Sequence, residues 1–269
     1  MSFEMDSMED RTVSSKRVLP RPDEAARFEW DAQKAKVLGI YGFDSRDVRS
    51  RPFNLLRSRL FRLRRAHGWR LFGVVSAGPG VGKSFVATNL AAALSRSPDA
   101  TTYLIDLDLR RGSVAENFAC PATNGLRQYL EYETDTLADA GLCPQGEKLI
   151  LIPTDASKTH SAELLAGERM NTLFDEMRSH PTSSMFICDL PPVFANDDAA
   201  IVTAKLDAYL LLVEDGRTTR KQVRDSINAL APATCAGVVL NRYNGGLVSD
   251  SYGYGYGESS AYGDYYKKG

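Results

Sequence analysis

Cysteine is scarce: Cys120, Cys143, Cys188 and Cys235 stand far apart, with no C-x-x-C pair among them. That spacing supports neither a zinc site nor a disulfide frame. Histidine is scarcer still, and His67, His160 and His180 are lone and unpatterned, which leaves no cluster for metal-dependent hydrolysis. No G-x-S-x-G element is present for a serine hydrolase. Neither sign of charge prevails, with 33 basic and 34 acidic side chains, so no overall field points to nucleic acid or to an acidic partner. Long apolar runs are missing too. The longest obvious one, Ala208–Val213, spans six residues, where a membrane helix needs roughly 20. The opening MSFEMDSMED is acidic and lacks a basic n-region and an apolar h-region, so no signal peptide is expected. The expectation from these absences is a soluble cytoplasmic protein.

What is present is ordinary globular material, 43% apolar and 25% charged over 269 residues, enough chain for a large core. Three zones are expected. Residues 1–48 are mixed in charge and weakly periodic and read as a flexible or loosely docked arm. Residues 49–247 alternate short β-branched apolar runs with helical segments. Strands are expected at Leu71–Ser76, Thr102–Asp106, Lys148–Ile152, Met185–Asp189, Ala208–Val213 and Ala236–Leu240. Helices are expected at Ser84–Ser95, Thr123–Tyr132, Ala162–Ser179, Asp197–Ala204 and Thr218–Leu230. Apolar strands that alternate with helices call for an α/β domain whose mostly parallel sheet is covered by helices on both faces. Residues 248–269 are low in complexity and form a tyrosine-rich tail that is expected to be disordered.

The strongest chemical signal follows the first strand: Ser76-Ala77-Gly78-Pro79-Gly80-Val81-Gly82-Lys83-Ser84. It has P-loop spacing, with Ala77 in place of the usual first glycine. Glycines let successive N–H groups face phosphate oxygens, and the next helix N-terminus adds its dipole. Lys83 would set a cation at the β/γ-phosphates and the Ser84 hydroxyl would ligate Mg²⁺. Gly78, Gly80 and Gly82 also alternate as in a dinucleotide loop, but the Lys-Ser pair at the helix start argues against that reading. ATP or GTP binding is expected. Two acidic strand ends follow. Asp106 and Asp108, at i and i+2, project from one side of an extended segment, and Asp189 closes the apolar run Phe186–Cys188 in the manner of a Walker B element. Either aspartate alone is a common strand-end turn residue; a parallel sheet would bring all three strand ends to one edge.

Together the P-loop, the hhhDxDxR element (Asp106, Asp108, Arg110), the D-x-P-P element (Asp189, Pro191, Pro192) and the tyrosine-rich end resemble bacterial tyrosine kinases. These are the BY-kinases of the CpsD/CapB type, which act in capsule and exopolysaccharide synthesis. The resemblance also takes in Ser161–Leu165, Asn196–Val202, Thr218–Val223 and Gly237–Asn241, and runs over residues 50–266. It implies a P-loop NTPase fold of the MinD/ParA-like (SIMIBI) type, with ATP and Mg²⁺ as cofactors. Gly78, Pro79, Gly80, Val81, Gly82, Lys83 and Ser84 would surround the nucleotide, with Asn241 at the adenine. Asp106 would be the base for a tyrosine hydroxyl, and would join Ser84, Asp108 and Asp189 around the metal. The family's E-x-x-R-x-x-R assembly element falls on Arg51, Asn54 and Arg57, of which only Arg57 fits.

Residues 249–269 hold Tyr252, Tyr254, Tyr256, Tyr262, Tyr265 and Tyr266, half of the twelve tyrosines, among glycine and serine that cannot form a core. A mobile tail can deliver a hydroxyl into another protomer, and each phosphate would add about −1.5 to −2 charges. Stacking on single-stranded nucleic acid is the competing use of such a tail. Only Lys267 and Lys268 supply positive charge there, so nucleic acid is not expected as a partner. Autophosphorylation of these tyrosines in a homo-oligomer is the reading favoured. The resemblance further implies a separate membrane activator of the polysaccharide co-polymerase type, a tyrosine phosphatase, and a peripheral place at the inner face of the membrane. The other classes in play are a MinD/ParA-type positioning ATPase and a nucleotide-dependent scaffold of polysaccharide export. The positioning ATPases carry a second P-loop lysine where this chain has Gly78. Before the P-loop, Phe53, Leu56, Leu60 and Leu63 recur at helical spacing among arginines, which reads as an amphipathic helix packed on the domain, or alternatively as a contact with anionic lipid.

Overall fold

The computed structural model describes residues 17–121, 125–155 and 160–243. The tail tyrosines from Tyr252 to Tyr266 lie outside the described residues. Strands β1 (Ala26–Phe28), β2 (Leu71–Ser76), β3 (Thr102–Asp106), β4 (Leu142–Pro144), β5 (Leu149–Ile152), β6 (Met185–Asp189), β7 (Ala208–Glu214) and β8 (Cys235–Asn241) form one sheet in the order β1-β4-β5-β3-β6-β2-β7-β8. Neighbouring strands pair in parallel except β4 with β5. The helices are α1 (Ala32–Val37), α2 (Arg51–His67), α3 (Lys83–Ser95), α4 (Val114–Phe118), α5 (Leu126–Leu130), α6 (Ser161–Ala166), α7 (Glu168–Ser179), α8 (Asp198–Thr203) and α9 (Arg220–Ala229). Among the described residues no helix is long and apolar enough to cross a membrane.

Because successive strand side chains point to opposite faces, the central strands fill two cores at once. Val75, Ile105, Ile152, Cys188 and Leu211 face Leu173, Phe174 and Met177 of α7 in one core. Val74, Leu104, Leu151, Ile187 and Leu210 face Phe53 and Leu60 of α2 and Val86 and Leu90 of α3 in the other. Helix α3 is buried almost all round, with Val86, Ala87 and Leu90–Leu94 apolar on every side rather than along one stripe. Helix α2 starts with Pro52 in its first turn and stops at Gly68, which has φ of 75°. Its Arg59 does more than solvate a face, donating from Nη2 to the Ala236 carbonyl at 2.7 Å, and its Asn54 accepts from Arg96, the residue that caps α3.

The expected arm needs correction for residues 17–48. Val18, Leu19, Phe28 and Trp30 are buried, and β1 extends the sheet. The Glu176 carboxylate accepts the Val18 and Leu19 N–H groups at 2.5 and 2.9 Å. Asn89 of α3 accepts the Tyr41 and Gly42 N–H groups and donates to the Gly39 carbonyl. Three-residue strands and scattered apolar anchors carry no readable period, which is why this segment looked loose. Removing the anchor by Glu176→Ala is expected to cost about 3 kcal/mol, from two hydrogen bonds to a charged acceptor at about 1.5 kcal/mol each. Urea unfolding would show it, with faster hydrogen exchange confined to Val18, Leu19 and their neighbours; unchanged exchange there would refute the anchoring role. The single helix expected over Ala162–Ser179 is two helices, because Gly167 takes an extended conformation between α6 and α7.

Candidate nucleotide-binding site

The P-loop joins β2 to α3. Ser76 closes its base by donating its hydroxyl to the Gly78 carbonyl at 2.7 Å. Val81 is buried in the core beneath α3, while Pro79 and Gly80 at the tip are exposed. Gly80 and Gly82 have φ of 77° and 95°, values that a Cβ would strain. A Cβ at Gly78 or Gly80 would meet nothing within 4 Å, so the space beside this glycine cradle is open. Gly82 caps α3 without a side-chain hydrogen bond, which leaves the first N–H groups of the helix to a phosphate. Lys83 is buried at 8% exposure.

Strand order puts the acidic ends beside this cradle. β6 lies between β3 and β2, with Asp106 opposite Asp189 in register. The segment after β6 is laced to the P-loop by Val193 N–H to the Ser76 carbonyl, 2.8 Å, and Phe194 N–H to the Ala77 carbonyl, 3.3 Å. Asp189 is fully buried, and neither of its oxygens completes a hydrogen bond among the described residues. Burial pushes its carboxyl up to about 6, against the pull of the nearby Ser84 hydroxyl and Lys83 ammonium. A buried carboxylate with only the Ser84 hydroxyl and the Lys83 ammonium near it is costly, and a cation ligand is the chemistry that accounts for it.

Asp106, across the strand register from Asp189, is tied to the backbone. It is wholly buried, and its Oδ2 accepts the Ser113 and Val114 N–H groups at 2.8 and 2.9 Å, so it holds the turn into α4. Burial, reinforced by the charge of Asp189, raises its pKa. Asp108 is half-buried; its pKa is raised chiefly by burial and lowered most by Lys83. Among the described residues no three His, Cys, Asp or Glu side chains form a metal cage by themselves. Asn241, at the end of β8, donates its amide to the Val81 carbonyl at 2.7 Å and so braces the P-loop. Arg110, Ser161 and Asp198, which enter the resemblance as motif positions without a stated role, also gather at this edge.

Comparison with known proteins agrees with this geometry. Residues 72–252 match the CobQ/CobB/MinD/ParA nucleotide binding domain. EpsB of Ralstonia solanacearum is 35% identical over 191 residues, 70% of this chain and 24% of that protein; the chain thus spans about a quarter of EpsB. Tyrosine-protein kinase YwqD of Bacillus subtilis is 32% identical over 184 residues, 68% of this chain and 75% of that kinase. The kinase domain of the Escherichia coli tyrosine kinase Etk superposes with a TM-score of 0.69 at 27% identity, covering 81% of this chain and 84% of that domain. With its P-loop, its sheet order and these relatives, the chain belongs to the CobQ/CobB/MinD/ParA nucleotide-binding family and, within it, to the bacterial tyrosine-protein kinases.

Proposed function

We propose that the protein is an ATP-dependent tyrosine autokinase that modifies Tyr252, Tyr254, Tyr256, Tyr262, Tyr265 and Tyr266 of a neighbouring copy. The observation that carries this reading is the meeting of Lys83, Ser84 and the partnerless Asp189 carboxylate beside an open glycine cradle. In this reading the α3 N-terminus and Lys83 bind the nucleotide phosphates, while Ser84 and Asp189 hold Mg²⁺. Bound there, Mg²⁺ would neutralise charge on the phosphate oxygens. Asp108, closer to solvent than Asp106, accepts the proton of the tyrosine hydroxyl as the γ-phosphoryl group passes to its oxygen and ADP leaves. Asp106 keeps the β3–α4 turn in place. Catalysis by such a site is mostly positioning and charge neutralisation. The relatives' names support assigning the activity to capsule or exopolysaccharide synthesis and export. A separate membrane activator at the inner face of the membrane and an opposing tyrosine phosphatase complete the proposal.

Mass spectrometry of the protein purified from its own cells, beside a Lys83→Met variant, tests the reading. Repeated phosphate additions on peptides from 243–269 are expected in the natural protein. They should fall at least ~100-fold in the variant, the usual cost of losing a charge that stabilises the transition state. A Lys83→Met protein still labelled on those peptides would overturn the site assignment.

A further inference from the structure

Beside the phosphate cradle, the same sheet edge carries a polar bridge that the nucleotide reading does not use. Asp198, at the start of α8, and Ser161, at the start of α6, are both fully buried. The Ser161 hydroxyl donates to Asp198 Oδ2 at 2.7 Å and its oxygen accepts Arg110 Nε at 2.8 Å. Arg110 Nε also lies 3.6 Å from Asp198 Oδ2, and the Arg110 side chain is 52% exposed. Its two terminal nitrogens meet no acceptor among the described residues. The bridge therefore fixes one edge of the guanidinium and presents the other, forked edge to solvent.

Docking α6 against α8 does not require this arrangement, because Leu165, Ala199 and Val202 already pack there in the apolar core. A buried carboxylate whose second oxygen has no partner weakens such a contact rather than strengthening it. The same loop carries Asn196, whose amide oxygen and nitrogen are both buried without partners. Arg110 follows Asp108 by two residues, and Asp198 is near enough for its charge to raise the Asp108 pKa. A fixed arginine fork on the transfer edge is suited to bidentate contact with a carboxylate or phosphate.

We infer that Arg110, positioned by Ser161 and Asp198, is an anion subsite for the acceptor segment and selects tyrosines that have a carboxylate or a phosphate beside them. The inference rests on the kinase reading for its substrate class. The chain's own acceptor candidates have this character: Asp264 precedes Tyr265, Tyr265 adjoins Tyr266, and Glu258 lies two residues past Tyr256.

Fluorescence anisotropy gives a test that does not depend on transfer. The probe is a labelled peptide of residues 260–269 with its three tyrosines replaced by phenylalanine. It is titrated with the full-length protein in the presence of magnesium and a non-hydrolysable ATP analogue. An Asp264→Asn form of the peptide and an Asp264→Asn form with phosphotyrosine at 266 complete the set. The natural protein is expected to bind an anionic peptide about tenfold more tightly than the Asn form, as for one charge-assisted bidentate contact. The tighter of the two anionic peptides identifies the source as carboxylate or phosphate. Arg110→Gln should abolish the preference while a fluorescent ATP analogue binds within about twofold of its usual affinity, Arg110→Lys should keep part of it, and Ser161→Ala should lessen it. Thermal unfolding confirms that each variant is folded. An undiminished preference in Arg110→Gln, or no preference in the natural protein, would overturn the subsite. Loss of the preference together with a tenfold loss of analogue affinity would overturn it as well, by assigning Arg110 to the nucleotide. Failure of the kinase reading would show instead as tyrosine peptides left unlabelled, with the anisotropy difference intact.

Discussion

Replacing Asp189 with asparagine is expected to stabilise the nucleotide-free protein and to abolish phosphoryl transfer. Asp189 is buried with no hydrogen bond of ordinary geometry, and burial pushes its carboxyl up to about 6 from an ordinary 3.8 despite the nearby Ser84 hydroxyl. A raised carboxyl pKa means that the folded state holds the proton more tightly than the unfolded chain. Stability contributed by this group is therefore fully present below pH 3.8, falls as pH rises toward 6, and stays low above that. At neutral pH the folded protein carries this burden in full. Asp189→Asn removes it, so the thermal midpoint at pH 7.5 should rise by a few degrees for a chain of this size. The gain should vanish near pH 4. With Mg-ATP the order should reverse, because the natural protein is stabilised by a ligand that the variant binds poorly. Transfer to tyrosine should drop by about 10³-fold, as for loss of a group that holds charge in a phosphoryl-transfer site. Scanning calorimetry across pH, with and without Mg-ATP, would decide it; a variant less stable than the natural protein at pH 7.5 without nucleotide would contradict the cation-ligand reading of Asp189.

Gly82→Ala should be the most damaging small substitution in the P-loop. Its φ of 95° disfavours any side chain, and a Cβ there would lie 2.4 Å from the Asn241 amide nitrogen. That nitrogen is the one that donates to Val81. The methyl must displace the brace or twist the loop. The left-handed conformation costs about 1–2 kcal/mol and a lost hydrogen bond about 1 kcal/mol. Affinity for a fluorescent ATP analogue should fall about 100-fold, since the N–H groups that face the phosphates move with the loop. Removing the obstruction with Asn241→Ala in the Gly82→Ala background should recover part of the affinity, a coupling that a double-mutant cycle measures. Strictly additive losses would mean that Asn241 acts on the nucleotide rather than on the loop.

Much of the central fold was legible in the sequence for a local reason. β2, β3 and β6 are continuous apolar runs that end in the residues expected of them, and α3 begins within one residue of its expected start. Such signals reside within a few neighbouring positions, where glycine conformation, side-chain alternation and helix starts are set by the chain itself. The short outer elements left no such trace. β1 and β4 take their place by pairing with each other, and the segment before α2 is held by Glu176 and Asn89, far away in sequence.

The chemistry divides along the same line. The residues by themselves determined that a phosphate-binding loop, two acidic strand ends and a helix-covered sheet were present, because each is written in consecutive positions. Only the tertiary structure decided what the individual carboxylates and amides do. Asp106 is consumed by the backbone of the β3–α4 turn while Asp189 is left partnerless, a difference made by packing rather than by sequence context. Asn241 meets Val81 across 160 residues, and Ser161 meets Asp198 across 37. Hydrogen-bond partners and burial depend on which loops the sheet order brings together, and that information is spread over the whole chain.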